Sequence, residues 1–190
     1  MADLTEIPSL FRIFSFKLAV VIDVFSRMPL AAKVFLAEPS ADAMAALVHQ
    51  AIRSNGAPSH FVSDQGSQFT AEVFRSGLKS LGIRQRFGAI GRTGSIAIVE
   101  RLWRTLKETL NLRFLKPLTR ADLERRLTTG LLHYAYVRPH QALAGATPAE
   151  VYFGIRPAHE TALPPPRGRP VHWPRALGCP PRPRAAPSGL

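Results

Sequence analysis

The sequence almost lacks cysteine: Cys179 is the single example among 190 residues. One thiol excludes a disulfide framework within the chain and a cysteine-based zinc cluster. This usage is typical of a reducing compartment, and we expect a cytoplasmic protein. The apolar run 18–22 is too short to span a bilayer, and the first residues lack the features of a signal peptide. We therefore expect no membrane partner.

Acidic residues are also scarce. The chain has 13 Asp and Glu against 25 Lys and Arg, which gives a formal net charge of +12. Such an excess of positive charge predicts a polyanionic partner, and nucleic acid is the usual one. The alternative is a basic surface that binds nothing.

The C-terminal segment lacks the apolar residues that a core requires. Residues 155–190 are rich in proline and arginine, and Glu160 is their single acid against six arginines. This composition predicts a disordered tail, either simply solvated or holding nucleic acid loosely. We therefore place the folded domain at 1–154 and the tail at 155–190.

The hydrophobic pattern of the first 154 residues is typical of an α/β domain. We expect strands over 2–7, 11–22, 30–36, 60–63 and 84–90, and helices over 40–55, 71–81, 96–112 and 119–135, with a short final helix after Pro148. Ser40, Thr70 and the Thr119–Asp122 pair are candidate N-terminal caps. Strands come first and then alternate with helices, which predicts a mixed sheet.

Asp64 follows the short predicted strand 60–63, where ligand sites of open α/β sheets collect. Gly66, two residues later, is expected to supply a permissive backbone that leaves the carboxylate open. The alternative is an aspartate that only caps a turn.

Glu100 is the second candidate carboxylate, and thirty-five residues, 65–99, separate it from Asp64. It shares a polar helical stripe with Arg104, Lys107 and Asn111, opposite an apolar stripe. Carboxylates that converge could hold two Mg²⁺ ions about 4 Å apart for phosphoryl transfer. The helix pattern alone favours a solvated face with a Glu100–Arg104 pair.

A third carboxylate near the start of the chain is ambiguous from chemistry alone. Asp3 begins a predicted strand, Glu6 has the opposite strand parity, and Asp23 lies in a predicted hairpin. A hairpin aspartate usually caps its own turn.

Several motifs together resemble the catalytic core of the retroviral-type integrase and bacterial insertion-sequence transposase family, named for its D,D-35-E triad. They are Asp3-Leu-Thr, the hairpin Val21–Arg27, Asp64-Gln-Gly-Ser-Gln-Phe-Thr, Glu100, the segment Tyr134–Leu143 containing Arg-Pro-His, and Thr147–Tyr152. The likeness covers about residues 2–154. It implies a ribonuclease-H-like fold with a mixed five-stranded sheet flanked by helices.

The resemblance also implies a catalytic and metal-binding triad of Asp3, Asp64 and Glu100 with two Mg²⁺ or Mn²⁺ ions. Water would cleave a phosphodiester at a DNA end, and the freed 3′-hydroxyl would then attack target DNA. A flexible loop, here 88–95, precedes the glutamate in the family.

By the same resemblance, Arg104 and Lys107 contact DNA, and Arg92 and Arg101 are further candidates. The partners would be element ends and target DNA, with a homo-oligomer at synapsis in the bacterial nucleoid. The core is expected to be N-terminally truncated. Two alternatives are an inactive fragment that still binds DNA and a stand-alone nuclease of the same fold.

His133 and His140 lack the spacing of a zinc site and are interpreted as structural, and Trp103 and Tyr134 as core residues.

Overall fold

The computed structural model describes residues 1–10, 14–88, 95–112 and 114–155, with the backbone alone at 95 and 96. The strands are β1 (Ala2–Pro8), β2 (Ser15–Ile22), β3 (Pro29–Phe35), β4 (His60–Ser63) and β5 (Arg84–Phe87). The helices are α1 (Ala41–Asn55), α2 (Ser67–Thr70), α3 (Glu72–Ser80), α4 (Ser95–Thr109), α5 (Arg120–Leu132) and α6 (Pro148–Tyr152). A π-helical turn, His133–Val137, continues α5, and a 3₁₀ turn covers Gln141–Leu143.

The five expected strands are present, and they pair as two hydrogen-bonded sheets. Strands β1, β2 and β3 form an antiparallel sheet in which Asp3 lies opposite Val20. Strands β4 and β5 form a parallel pair in which Ser63 lies opposite Phe87. β1 and β4 contact each other, which brings the two sheets edge to edge.

Helices cover both faces of the antiparallel sheet. Strand β2 is apolar on both sides because it packs into two cores. One core joins the face containing Phe16, Leu18, Val20 and Ile22 to α4 and α5. The other joins Ala19 and Val21 to α1, α3 and β4. Successive residues point to opposite faces of a strand, so each β1 side chain faces one of these two helical layers.

The predicted helix boundaries at α1 are confirmed. Ser40 Oγ accepts a hydrogen bond from the Ala43 amide at 3.2 Å. Gly56 ends the helix with φ of 89°, a conformation that glycine adopts without strain. At α5, Thr119 Oγ1 accepts from the Asp122 amide at 3.1 Å. The Asp122 carboxylate pairs instead with Arg126 and Arg125, so half of the expected capping box forms.

The prediction for Thr70 is wrong. Thr70 does not cap α3, because it is the last residue of the short helix α2 and its hydroxyl donates back to the carbonyls of Gly66 and Ser67. Most of the expected loop 88–95, part of the expected strand 11–22 and almost all of the tail 155–190 lie outside the described residues. No helix in the described ranges is long and apolar enough to cross a membrane.

Candidate active site

Asp3 lies on the face of β1 that packs against α4. Its Oδ2 accepts a 2.6 Å hydrogen bond from the indole Nε1 of Trp103. Ala2 and Leu4, its neighbours along the strand, belong to the opposite core. The alternation of side chains along β1 therefore places the Asp3 carboxylate on the α4 side of the sheet, where the hydrogen bond from Trp103 holds it.

Burial is the main reason that the pKa of the Asp3 carboxyl is raised. The Trp103 indole and the Leu4 backbone lower it, while the charges of Asp64 and Glu100 raise it again. Carboxylates from β1, from the end of β4 and from α4 therefore lie within electrostatic range of one another. Their mutual repulsion is a feature of sites that accept a cation.

Asp64 is exposed and immediately follows β4. Its Oδ1 accepts a hydrogen bond from the Gly66 amide at 3.0 Å, which closes a local turn. Asp64 therefore caps its own turn, as the alternative predicted, while its exposed carboxylate acts electrostatically on Asp3. Its role in a ligand site stays a prediction.

The expected role of Gly66 is wrong in its detail. Its φ is −56°, which any residue adopts, so no special backbone conformation is needed. A Cβ at this position would instead lie 2.5 Å from Nε2 of the buried Gln68 side chain. Close approach, rather than φ, favours glycine here.

Glu100 lies on the exposed face of α4, near the start of the helix. The predicted apolar stripe is confirmed, since Val99, Leu102, Trp103 and Leu106 are buried. The alternative of a Glu100–Arg104 ion pair is not found among the salt bridges of the described residues. Glu100 is therefore left available to a ligand.

The three predicted site residues are near one another but do not form a closed cage. Within the described ranges, no three His, Cys, Asp or Glu side chains converge as a group that could hold a metal ion. Asp3 is committed to Trp103 and Asp64 to its own turn. Three carboxylates are the ligands that a hard divalent cation prefers. In this structure, however, they do not converge on one point.

The other early acids have separate roles. Asp23 Oδ2 accepts from the Ser26 amide at 2.8 Å and from the Ser26 hydroxyl at 2.6 Å, so Asp23 caps its hairpin as predicted. Glu6 pairs with Lys17 across the β1–β2 ladder at 3.0 Å.

The candidate DNA contacts on α4 point in more than one direction. Arg104, Lys107 and Arg101 are all exposed. Lys107 Nζ donates to Thr5 Oγ1 at 3.2 Å, on the β1 side of the helix. Arg101 interacts electrostatically with Arg27, Tyr134 and His140, near the β2–β3 hairpin. Arg92 lies outside the described residues.

Sequence reasoning missed the role of Trp103, which was assigned to the core. The side chain is buried, but its one polar atom is used on Asp3. A tryptophan three residues after a candidate catalytic acid, on the sheet-facing stripe, was the available signal, because a buried indole N–H usually finds an acceptor.

Residues 1–93 match the family described as the integrase core domain. The match ends just short of the middle of the chain. An uncharacterized protein of Caenorhabditis elegans is 30% identical over 108 residues, which is 57% of this chain and 8% of that protein. The chain thus matches a small part of that relative's length.

Solved integrases share the fold of this chain. A chain of the simian T-cell lymphotropic virus intasome, in complex with PP2A regulatory subunit B56 gamma, superposes with a TM-score of 0.66 and 23% identity, over 90% of this chain and 57% of that one. The HTLV-2 integrase catalytic core in complex with magnesium (dimeric form) superposes with a TM-score of 0.61 and is 20% identical. That match covers 80% of this chain and 92% of the HTLV-2 chain. The BIV integrase catalytic core superposes with a TM-score of 0.61 and is 24% identical, over 80% of this chain and 93% of the BIV chain. The expected ribonuclease-H-like α/β fold is confirmed.

Proposed function

We propose that this integrase core carries out DNA integration or transposition by metal-dependent phosphoryl transfer. The observation that carries the proposal is the electrostatic coupling of Asp3 to Asp64 and Glu100, which come from three separate elements of the fold. The match of residues 1–93 to the integrase core domain family supports the same chemistry.

Asp3, Asp64 and Glu100 would hold the metal, and we propose two Mg²⁺ or Mn²⁺ ions. Hard divalent cations prefer carboxylate oxygens, and the HTLV-2 relative is a complex with magnesium. When bound, such ions activate the attacking oxygen and stabilise the leaving oxygen of an in-line displacement.

Neighbouring groups of this chain would hold the carboxylates of the site in position. Trp103 fixes Asp3 on β1, and the Asp64–Gly66 turn fixes the carboxylate after β4. In the first reaction, a water oxygen forms the new P–O bond and the 3′-oxygen leaves as a hydroxyl. In the second, that hydroxyl forms a P–O bond to target DNA and displaces another 3′-oxygen. Both reactions are displacements at phosphorus, so one site serves both.

DNA is the proposed partner because the net charge is +12 and the exposed Arg101, Arg104 and Lys107 form no salt bridge within the described ranges. Arg104, Lys107, Arg101 and Arg92 are the proposed DNA contacts. We also propose a homo-oligomer at synapsis, as two DNA ends must be held together. The HTLV-2 core is described in dimeric and trimeric forms.

A second candidate function is DNA binding without catalysis. It is favoured by the absence, among described residues, of three metal-ligating side chains already gathered as one site. In that case the carboxylates stay apart when Mg²⁺ is added.

The test is a cleavage and joining assay with the full chain, labelled duplex ends and a target plasmid in Mg²⁺ or Mn²⁺. We expect metal-dependent nicking and joined products, with Asp64→Asn and Glu100→Gln each abolishing both. Asp42→Asn, an exposed acid on α1, is the matched control and should retain activity. Cleavage without joined product would indicate a nuclease. Binding without any cleavage would establish the inactive alternative.

A further inference from the structure

The hairpin Val21–Arg27 and the Arg-Pro-His segment 138–140 have no part in the carboxylate site, yet they meet in the fold. Met28, directly after the hairpin turn, packs against Ala135 and Ala149. The neighbouring Tyr134 packs in the core that contains Val99 and Leu102 of α4. Three separate segments therefore converge around Tyr134.

The Arg-Pro-His segment folds back onto the same residue. The His140 ring lies edge-on to the Tyr134 ring, with 4.5 Å between centroids. His140 Nε2 lies 3.3 Å from the Tyr134 carbonyl oxygen. Burial lowers the pKa of His140. The ring contact and the Tyr134 carbonyl together fix the path of the chain after Arg138.

Each of the three segments brings one arginine to this point. Burial raises the pKa of Tyr134 to about 12, against the opposing influence of Arg27, Arg138 and Arg101. Burial also lowers the pKa of Arg27, and the nearby charge of Arg101 lowers it further. The three guanidinium groups are thus close enough to act on one phenol and, for two of them, on each other.

These arginines exceed the negative charge around them. None of them forms a salt bridge within the described ranges, where Lys17, Arg120, Arg125 and Arg126 all do. Arg27 Nη1 donates to the Val24 carbonyl, and the charge of Asp23, whose Oδ2 accepts from Ser26, acts on Arg27 from a distance. Like charges that exceed the nearby counter-charge are stabilised by an external anion.

The cluster is distinct from the surface formed by Arg104 and Lys107. Successive residues of a helix are about 100° apart around its axis, so Arg101 lies on the opposite edge of the exposed face from Lys107. Lys107 contacts Thr5 on β1, whereas Arg101 faces the hairpin. Glu100 lies between these two edges.

We propose that Arg27, Arg101 and Arg138 form a second phosphate-binding surface that holds the DNA backbone on the hairpin side of Glu100. The guanidinium fork suits phosphate oxygens, and its charge is not lost at neutral pH. DNA would then be held on both sides of the carboxylates. The proposal rests on the proposed function only in taking DNA as the ligand.

The test measures DNA affinity in EDTA, so it is independent of cleavage. Fluorescent duplex is titrated with the full chain at several salt concentrations. We expect Arg138→Gln and Arg101→Gln each to weaken binding about tenfold and to reduce the salt slope by about one, as for the loss of one phosphate contact. Arg138→Lys, which keeps the charge, should retain the slope.

Arg53→Gln is the matched control, because Arg53 is exposed on α1 and takes part in no salt bridge in the described part of the chain. It should change affinity less than twofold. If both cluster variants bind as Arg53→Gln does, the surface holds no phosphate. Arg101→Gln alone decides the matter if Arg138→Gln does not fold. Displacement of DNA by polyglutamate at equal charge would reassign the surface to an acidic protein.

The two proposals fail separately. Loss of affinity in the cluster variants with no metal-dependent cleavage by the wild type overturns the proposed function and leaves this surface standing. Cleavage that depends on Asp64, with normal affinity in both cluster variants, overturns only the surface.

Discussion

Trp103 on α4 donates its indole N–H to Oδ2 of Asp3 on β1, at 2.6 Å. The bond ties the helix that carries Glu100 to the strand that carries the buried carboxylate. It favours the ionised form of Asp3, against the burial that raises the pKa. The ionised form is the one that binds a cation, so this contact would set both the position and the charge of Asp3 as the proposed ligand.

Trp103→Phe should preserve the fold and weaken the site. Phenylalanine keeps most of the packing but removes the donor, so the pKa of Asp3 rises further. We expect metal affinity to fall about 10- to 100-fold, as for loss of a partner that orients a ligand. The pH profile of metal binding should also move to higher pH. A variant with weaker binding and an unchanged profile would indicate a packing role alone.

Asp3→Asn should stabilise the metal-free protein. The folded-state pKa of Asp3 is raised, so its contribution to stability is fully present below the unfolded pKa and is lost as pH rises through the folded one. At neutral pH the ionised Asp3 carboxylate therefore lowers the free energy of unfolding, and the neutral asparagine side chain removes this destabilisation. Each kcal/mol recovered corresponds to about 2–4 °C in Tm.

Thermal melts in EDTA and in Mn²⁺ check this. The wild type should gain stability with Mn²⁺, and Asp3→Asn should gain none. A lower Tm for Asp3→Asn in EDTA at neutral pH would contradict the electrostatic account.

Asp23→Ala should cost stability and leave metal binding intact. The substitution removes an acceptor of two hydrogen bonds from Ser26, and the expected loss is about 1–2 kcal/mol in the free energy of unfolding. Urea unfolding measures this loss. If Asp23→Ala shows no rise in Tm with Mn²⁺, then Asp23, and not Asp3, is the metal ligand near the start of the chain.

Arg104→Gln and Lys107→Gln should weaken DNA binding without changing the response to metal. Both side chains are exposed on the Glu100 face of α4 and pair with no carboxylate in the described part of the chain. Each variant should reduce the salt slope of DNA affinity by about one. Arg75→Gln on α3 serves as the control, and equal slopes in all three would refute these contacts.

The sequence predicted most of the strands and helices because these depend on local patterns. The apolar stripe of α4 and the Ser40 cap each require only neighbours along one helix. The triad of Asp3, Asp64 and Glu100 came from a family resemblance, and its role as a metal site stays a prediction.

Interactions between distant segments could not be predicted in the same way. The Trp103–Asp3 bond joins residues 100 positions apart, and the position of Arg101 beside the hairpin depends on how α4 packs. The pairing of five strands as two sheets likewise depends on backbone ladders between segments, which periodicity does not encode.

The most direct test of the central claim is anomalous scattering from crystals of the full chain soaked in Mn²⁺. The account predicts a Mn²⁺ peak bound by Asp3 and Asp64, with Glu100 turned toward the same site and oxygen ligands at about 2.0–2.4 Å. A structure at saturating Mn²⁺ in which the three carboxylates remain apart, with no ion between them, would contradict it.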